Sequence, residues 1–306
     1  MSYTRRELAQ LALTMVPAAT LLRWGSASAM QAKPNSKVAG VQIGMNVPYN
    51  FGGRNMDVDL LIRNVVALGV SGLELRSQPV ETLLGAPVEL IDARTIDAAG
   101  AETLRKWRVA VPMDKVRDAR RKFNDAGVLV EIVKFDGIFD WPDDAVDYAF
   151  ALAKNLGARA ISTEIAADGP ERLGRFADKH ALMVGYHGHE ATAPEDWEKV
   201  FGYAAHNGAN LDLGHFVAGN HGSPLPFLEK HHARITHVHV KDRKKDKGPN
   251  VPFGQGETPI VEALRLIRDK KWNIQATIEF EYPIPADSDR MTELKKCVEF
   301  CRKALA

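Results

Sequence analysis

The sequence has no excess of charge of either sign, because its 306 residues include 40 Lys and Arg against 39 Asp and Glu. A protein that binds the phosphate backbone of a nucleic acid needs a strongly basic face. We therefore expect no nucleic-acid partner. After residue 29, no run is long and apolar enough to cross a membrane. A hydrophobic content of 45% is ordinary for a globular protein with a large core.

Cysteine is scarce, and the dinucleotide-binding fingerprint is missing. The two cysteines, Cys297 and Cys301, lie four positions apart in the helical pattern "MTELKKCVEFCRKAL". Neighbours on one helix face are poorly placed for a disulfide, so we expect both to be packing residues. The stretch "GMNVPYNFGGRN", which follows the first predicted strand, lacks the glycine spacing of a nucleotide-binding loop.

The first 29 residues have the pattern of an export signal. Arg5 and Arg6 precede an apolar run from Leu8 to Leu22, and the small residues Ala27 and Ala29 end the segment. This pattern predicts a cleavable twin-arginine signal peptide over residues 1–29 and a periplasmic protein. An amphipathic first helix is the alternative. Cleavage would remove three Arg and one Glu, which changes the net charge from +1 to −1.

Residues 30–306 alternate between apolar strands and amphipathic helices. The eight predicted strands cover residues 38–44, 71–76, 128–135, 158–163, 182–187, 210–214, 235–240 and 274–282. Strict strand–helix alternation implies a parallel sheet, and eight such units fit an α/β protein of the (β/α)8 TIM-barrel type. An open doubly wound sheet is the alternative. The irregular stretch 77–112 is expected to be either a lid insertion over the mouth or a packed surface segment.

Ionisable residues collect at the carboxyl ends of the later strands, which in a barrel face one shared mouth. They are Glu164, His187, His189, Glu190, Asp212, His215, His237, His239, Glu279 and Glu281. Converging imidazoles and carboxylates are typical of a divalent-cation site. Mixed nitrogen and oxygen ligands favour manganese, cobalt, zinc or iron over calcium, and they also allow magnesium.

Four motifs resemble those of a known family. In this order they are "NLDLGHFVAGN", "ITHVHVKDR", "VPFGQGETPI" and "ATIEFEYP". Together they resemble the xylose-isomerase-like TIM-barrel superfamily, and in particular the group usually labelled sugar phosphate isomerase/epimerase, over roughly residues 38–304. Members of that superfamily include isomerases, epimerases, sugar dehydratases, lyases acting on 3-keto-glycosides and DNA-repair endonucleases.

The resemblance implies a set of metal ligands. Asp212, His239 and Glu279 match the family's ligands on the sixth, seventh and eighth strands, and His215 matches a substrate-contacting histidine. The fifth strand departs from the pattern, because His187 stands where the family usually has Glu. We therefore place Glu164 of the neighbouring strand first as the fourth ligand, with His187 as the alternative.

The remaining site predictions concern catalysis and substrate binding. Glu279, Glu164 and His215 are expected to be catalytic. The expected substrate-binding residues are His187, His189, His215, Lys241 and Arg243. Lys241 and Arg243 begin the basic loop "KDRKKDKGPN", which would bind a carboxylate or a phosphate unless it is an ordinary solvated loop.

These residues predict a metal-dependent isomerase or epimerase that acts on a sugar or keto sugar. A divalent ion, with Mn²⁺ first and Co²⁺, Zn²⁺, Fe²⁺ or Mg²⁺ as alternatives, would polarise a carbonyl so that a base removes the neighbouring proton and an enediolate forms. Expulsion of a β-substituent from the same intermediate would make the protein a lyase or dehydratase. A non-catalytic sugar-binding barrel fits less well, because unsatisfied buried ionisable groups destabilise a fold. The expected partner is a small carbohydrate, and a homo-oligomer remains an option.

Overall fold

The computed structural model describes residues 33–306, so the predicted signal peptide of residues 1–29 lies outside the described part of the chain. Eight strands build the barrel. They are β1 Val41–Val47, β2 Gly72–Arg76, β3 Leu129–Lys134, β4 Ala160–Glu164, β5 Met183–His187, β6 Asn207–Asp212, β7 Ile235–Val240 and β8 Gln275–Ile278. A short strand, Lys37–Val38, pairs antiparallel with the start of β1.

The barrel strands are parallel, and the sheet closes on itself. Each strand pairs with the next along the chain, and β1 pairs with both β8 and β2. Ile43 of β1 is opposite Ala276 of β8, while Gly44 of β1 is opposite Gly72 of β2. The predicted (β/α)8 barrel is therefore confirmed. Because all eight strands run the same way, their carboxyl ends form one mouth.

Helices connect the strands on the outside. They are α1 Val58–Ala67, α2 Gln78–Leu83, α3 Val88–Asp92, α4 Ala98–Ala110, α5 Met113–Asp125, α6 Asp143–Leu156, α7 Pro170–His180, α8 Pro194–Phe201, α9 Leu213–Ala218, α10 Leu225–His231, α11 Ile260–Lys270 and α12 Arg290–Leu305. In α6, Val146, Ala149, Phe150 and Ala153 are fully buried at helical spacing. Gly157 ends this helix with a φ of 89°, which favours glycine.

The stretch 77–112 contains the three helices α2, α3 and α4, where the sequence predicted irregular structure. Ala86, Ile91 and Leu104 form a small apolar core within it. This segment therefore has packing of its own, and its movement as a lid stays a prediction. Among residues 33–306, no helix combines the length and the apolar character that a membrane span requires.

Candidate metal centre and active site

Four strand ends bring imidazole and carboxylate groups to the centre of the mouth. His187 ends β5, Asp212 ends β6, His239 lies near the end of β7, and Glu279 follows β8 directly. Asp212 is opposite His239 in the β6–β7 pairing. All four side chains are buried. The parallel register thus delivers side chains that are distant in sequence to one level of the barrel.

We call His187, Asp212, His239 and Glu279 the four-residue cluster. One possible ligand atom from each residue lies within 4.8 Å of those of the other three. His239 Nδ1 is 3.2 Å from Glu279 Oε2 and 3.6 Å from Asp212 Oδ2, and His187 Nε2 is 3.4 Å from Asp212 Oδ2. A single ion is therefore within reach of two nitrogens and two oxygens.

The cluster passes a test of fit for a divalent cation. Within the described residues, His239 Nδ1 is buried without a hydrogen bond of good geometry, and it faces the carboxylates of Glu279 and Asp212 at 3.2 and 3.6 Å. Buried polar atoms are rarely left without a partner, so a nitrogen in this position, beside two carboxylates, fits a cation. A donor set of two imidazoles and two carboxylates suits manganese, cobalt, zinc or iron.

The electrostatics of the cluster favour the binding of a cation. Burial alone would raise the pKa of Asp212, but Lys241 and His215 outweigh burial and hold this pKa well below its usual value. For Glu279, His239 and Lys241 likewise outweigh burial and lower the pKa. Both carboxyls are therefore ionised in the folded protein, and their charge attracts a cation.

A second layer of side chains orients the two histidines. Glu74 Oε2 lies 2.6 Å from His239 Nε2, and Asn210 Nδ2 lies 3.0 Å from the same nitrogen. These contacts leave His239 Nδ1 facing the cluster. Glu164 Oε2 lies 2.9 Å from His187 Nδ1, which leaves Nε2 of His187 facing Asp212. Carboxylates placed behind imidazoles in this way orient metal-binding histidines and increase their basicity.

Glu164 has other contacts that hold it outside the four-residue cluster. Its Oε1 accepts a hydrogen bond of 2.6 Å from Lys134 Nζ, and its Oε2 is 2.9 Å from both His187 Nδ1 and His189 Nε2. Burial alone would raise the pKa of Glu164, but the hydrogen bonds with the two histidines outweigh it and lower the pKa strongly. The geometry therefore places His187 closer to the role of fourth ligand than Glu164, which the sequence placed first.

Lys241 brings a buried positive charge to the edge of the cluster. Its Nζ lies 2.6 Å from Glu279 Oε2 and 3.1 Å from Asp212 Oδ2, and it donates a 2.6 Å hydrogen bond to Glu281 Oε2. Burial alone would lower the pKa of Lys241, but these three carboxylates outweigh it and raise the pKa. The Lys241 side chain is thus a protonated ammonium group at the edge of the cluster.

His215 links Lys241 to a second group of charges. His215 Nε2 is 3.0 Å from Lys241 Nζ, and His215 Nδ1 is 2.7 Å from Arg243 Nη1 and 2.9 Å from Glu190 Oε2. Burial lowers the pKa of His215, which favours the neutral imidazole. His215 and Arg243 therefore lie together beside the metal centre, although the basic residues beyond Arg243 in the same loop are mostly exposed.

Several residues of the centre were missed in the sequence analysis. Glu74 and Lys134 lie within the second and third strands, and Asn46 in the first strand donates a 2.9 Å hydrogen bond to Glu279 Oε1. A charged residue within an apolar strand, as in "GLELR" and "LVEIVK", was the available signal. The ionisable residues at the ends of the later strands form the clearer pattern, and the first three strands each contribute only isolated polar residues.

Comparison with known proteins agrees with this architecture. Residues 147–304 match the model of the family described as "Xylose isomerase-like TIM barrel". The chain belongs to this family. Two inosose dehydratases are similar in sequence. The enzyme from Clostridium beijerinckii is 31% identical over 88 residues, or 27% of this chain and 29% of that protein. The enzyme from Salmonella agona is 29% identical over 131 residues, or 41% of this chain and 38% of that protein.

The chain thus spans less than two fifths of the length of these curated relatives. Among solved structures, the 3-keto-D-glucoside 4-epimerase from E. coli superposes with a TM-score of 0.56 and 13% identity. That match covers 86% of this chain and 99% of the epimerase, and it supports the fold alone. The proteins that resemble this chain are thus named as a dehydratase in the sequence comparison and as an epimerase in the fold comparison.

Proposed function

We propose that the protein is a divalent-metal-dependent enzyme that removes a proton beside the carbonyl of a keto sugar or keto polyol. The observation that carries this proposal is the buried four-residue cluster at the barrel mouth, which brings two imidazoles and two ionised carboxylates within reach of one ion. A bound divalent ion would hold the substrate carbonyl and polarise it as a Lewis acid. A dehydratase and an epimerase are similar to this chain in sequence and in fold, respectively, and loss of a proton beside a carbonyl can begin either reaction.

The protein residues supply the proton transfers. Glu279 is ionised, its Oε1 accepts a hydrogen bond from Asn46, and its Oε2 lies 2.6 Å from Lys241 Nζ at the barrel mouth. This carboxylate is the base in our proposal. The hydrogen bond with Glu164 raises the pKa of His189, which favours its protonated form near neutral pH. His189 is about half exposed at the mouth and would protonate a departing oxygen.

Elimination is our first candidate for the overall reaction. The C–H bond beside the carbonyl breaks toward Glu279, a C=C bond forms, and the C–O bond to the β-substituent breaks as its oxygen takes a proton. This outcome makes the protein a lyase or dehydratase. The similarity to inosose dehydratases favours it over the isomerase or epimerase that the sequence analysis placed first.

Isomerisation or epimerisation is the second candidate, and a specific feature favours it. Glu164 ends β4 and Glu279 follows β8, and these strands lie on opposite sides of an eight-stranded barrel. Two carboxylates on opposite sides of a substrate can remove a proton from one face and return it to the other. The E. coli structure that superposes on this chain is an epimerase.

A substrate panel in D2O separates these outcomes. Inosose and 3-keto-glucosides would be incubated with protein loaded with manganese, cobalt or zinc, and the products followed by NMR and ultraviolet absorption. Elimination gives an enone that absorbs ultraviolet light. Isomerisation or epimerisation gives an isomer of the substrate in which deuterium replaces the transferred proton. If no substrate exchanges its proton in any metal form, proton abstraction is excluded and a non-catalytic sugar-binding barrel is favoured.

Glu279→Gln tests the proposed base. We expect the rate to fall on the order of 10²–10⁴-fold, as for the loss of a general base. Glu281→Gln is the matched control, since Glu281 binds Lys241 and Tyr49 outside the four-residue cluster. This control should reduce the rate by roughly 10–100-fold, as expected for a residue behind the ligands. The reverse order of effects would move the base to Glu281.

We also propose that the protein works in the periplasm, on the basis of the twin arginines and the cleavage pattern. Replacing Arg5 and Arg6 together by Lys should retain the precursor in the cytoplasm, and cell fractionation with an antibody would detect it. Arg23→Lys is a control within the same segment and should leave export unchanged. Export of the double variant would contradict the proposal.

A further inference from the structure

A cleft opens beside the metal centre between the loop that follows β1 and the segment 77–112. Its volume is about 610 Å³, which lies within the usual range of small-molecule sites. Three guanidinium groups line it, from Arg54, Arg94 and Arg290. Tyr49 and Phe280 contribute aromatic surface to the same cleft. We call it the arginine cleft.

Two of these arginines have no acidic partner. Arg54 Nη2 is 3.1 Å from Asp136 Oδ2, so an aspartate partly neutralises its charge. Across residues 33–306, neither Arg94 nor Arg290 forms an ion pair. Arg290 donates a 3.2 Å hydrogen bond to the Asn50 carbonyl oxygen and lies 5.4 Å from the centre of the Phe280 ring. The cleft therefore presents positive charge that the protein does not neutralise.

The arginine cleft adjoins the four-residue cluster through two side chains in contact. Glu281 lines the cleft and accepts 2.6 Å hydrogen bonds from Tyr49 and Lys241. Lys241 in turn lies 2.6 Å from Glu279 of the four-residue cluster. A substituent of a sugar held at the cluster would therefore have the cleft as its neighbouring space.

We infer that the arginine cleft binds a carboxylate on the substrate, so that the preferred substrate is an acidic keto sugar such as a uronic acid derivative. The planar guanidinium group pairs with a carboxylate through two parallel hydrogen bonds, which a neutral hydroxymethyl group cannot offer. The partly exposed Tyr49 ring would pack against the sugar ring, whereas Phe280 is buried beneath Arg290. This inference rests on the proposed function for the position of the reacting carbon, but binding of the acid does not require turnover.

The test compares ligands that differ only in charge. Methyl glucuronide, methyl glucoside and glucose 6-phosphate would be titrated by calorimetry into the full chain, with and without manganese. We expect the glucuronide to bind at least about 10-fold more tightly than the neutral glucoside, as for a charge-assisted hydrogen bond. Arg94→Gln and Arg290→Gln should each reduce this preference, their combination should abolish it, and the affinity for the glucoside should stay unchanged. Arg175→Gln is the control, since Arg175 is exposed on the outer face of α7.

Each outcome has a distinct meaning. Equal affinity for the glucuronide and the glucoside would overturn the inference, as would a preference that survives both substitutions. Tightest binding of glucose 6-phosphate would show that the cleft is a phosphate site instead. If the preference for the carboxylate depends on the two arginines but no keto sugar exchanges its proton, the proposed function fails and the cleft assignment stands.

Discussion

A series of contacts behind His187 explains why both His187 and Glu164 are candidates for the fourth metal ligand. Lys134 binds Glu164, Glu164 binds His187, and His187 faces Asp212. Both Glu164 and His187 carry atoms that can bind a cation. Only His187 places such an atom within 4.8 Å of the ligand atoms of the other three cluster residues. The carboxylate then acts through the imidazole by fixing its tautomer and raising its basicity.

This arrangement predicts unequal effects of two substitutions on metal binding. Glu164→Gln should weaken the affinity for Mn²⁺ by roughly 10–100-fold, as for a residue behind a ligand. His187→Ala should weaken it further, because a coordinating atom is lost. His189→Ala, which removes a half-exposed partner of Glu164, is the control and should change metal affinity little. Competition with a chelator measures all three.

The opposite order would assign the fourth ligand differently. If Glu164→Gln abolishes metal binding while His187→Ala retains it, Glu164 coordinates the ion and the side chains rearrange on binding. That result would support the ligand which the sequence placed first. Circular dichroism of each variant would establish that loss of metal binding does not reflect loss of the fold.

The predicted site residues come together because barrel topology makes strand ends neighbours whatever their distance in sequence. Asp212, His239 and Glu279 were accessible to sequence reasoning for this reason. Glu74 was not, because a single Glu in an apolar strand does not reveal which imidazole lies across the barrel. Its 2.6 Å contact with His239 spans 165 residues of sequence and exists only in the closed sheet.

At the scale of elements, strand boundaries were less predictable than strand number. The sixth strand was predicted over 210–214, but β6 ends at Asp212, and α9 begins at the next residue. The Asp212 side chain accepts a 2.7 Å hydrogen bond from the backbone N–H of His215 and so caps this helix. The periodicity of the sequence could not show that the Asp212 carboxylate would both belong to the four-residue cluster and cap the N-terminus of a helix.

A buried ion pair joins two helices of the segment 77–112, and contacts of the same pair with Tyr148 and Trp141 tie the segment to the barrel. Arg108 of α4 donates a 2.8 Å hydrogen bond to Glu81 Oε1 of α2, and both side chains are nearly inaccessible. Tyr148 of α6 donates to the same carboxylate, and the Arg108 guanidinium lies 3.6 Å from the Trp141 ring centre. If α4 moved as a lid, it would have to break these contacts or move together with the residues that make them.

Arg108→Ala should therefore destabilise the protein strongly. Removing the guanidinium leaves the Glu81 carboxylate buried without its partner, which typically costs about 3–5 kcal/mol. Arg105→Ala is a matched control on the same helix, because the ion pairs of Arg105 with Glu102 and Asp144 are exposed and should contribute much less. Urea unfolding followed by circular dichroism measures the free energy of unfolding of both variants. Equal small losses would show that the segment does not depend on this pair.

For the whole molecule, the closed barrel concentrates buried charge at its mouth. Asp212, Glu279 and Glu74 are ionised carboxyls without significant exposure, and Lys241 and His239 are the cations nearest to them. Taking such charges out of water is unfavourable unless each is paired with good geometry. Asp212 and Glu279 share the single ammonium group of Lys241, so a cation bound between them should stabilise the fold.

Removal of metal should consequently lower the melting temperature. At a free metal concentration of 100 times the dissociation constant, binding to the folded state alone adds about 2.7 kcal/mol. For a domain of this size, that gain corresponds to a rise of roughly 4–5 °C in Tm. Scanning calorimetry of chelated protein, with and without added Mn²⁺, Co²⁺ or Zn²⁺, would measure this rise in Tm.

Glu279→Gln should reduce the rise in Tm on addition of metal. The control Glu131→Gln, on the outer face of β3 and paired with Arg159, should retain it. No shift with any of the three metals would exclude a cation at the four-residue cluster and, with it, the Lewis-acid chemistry proposed for this protein.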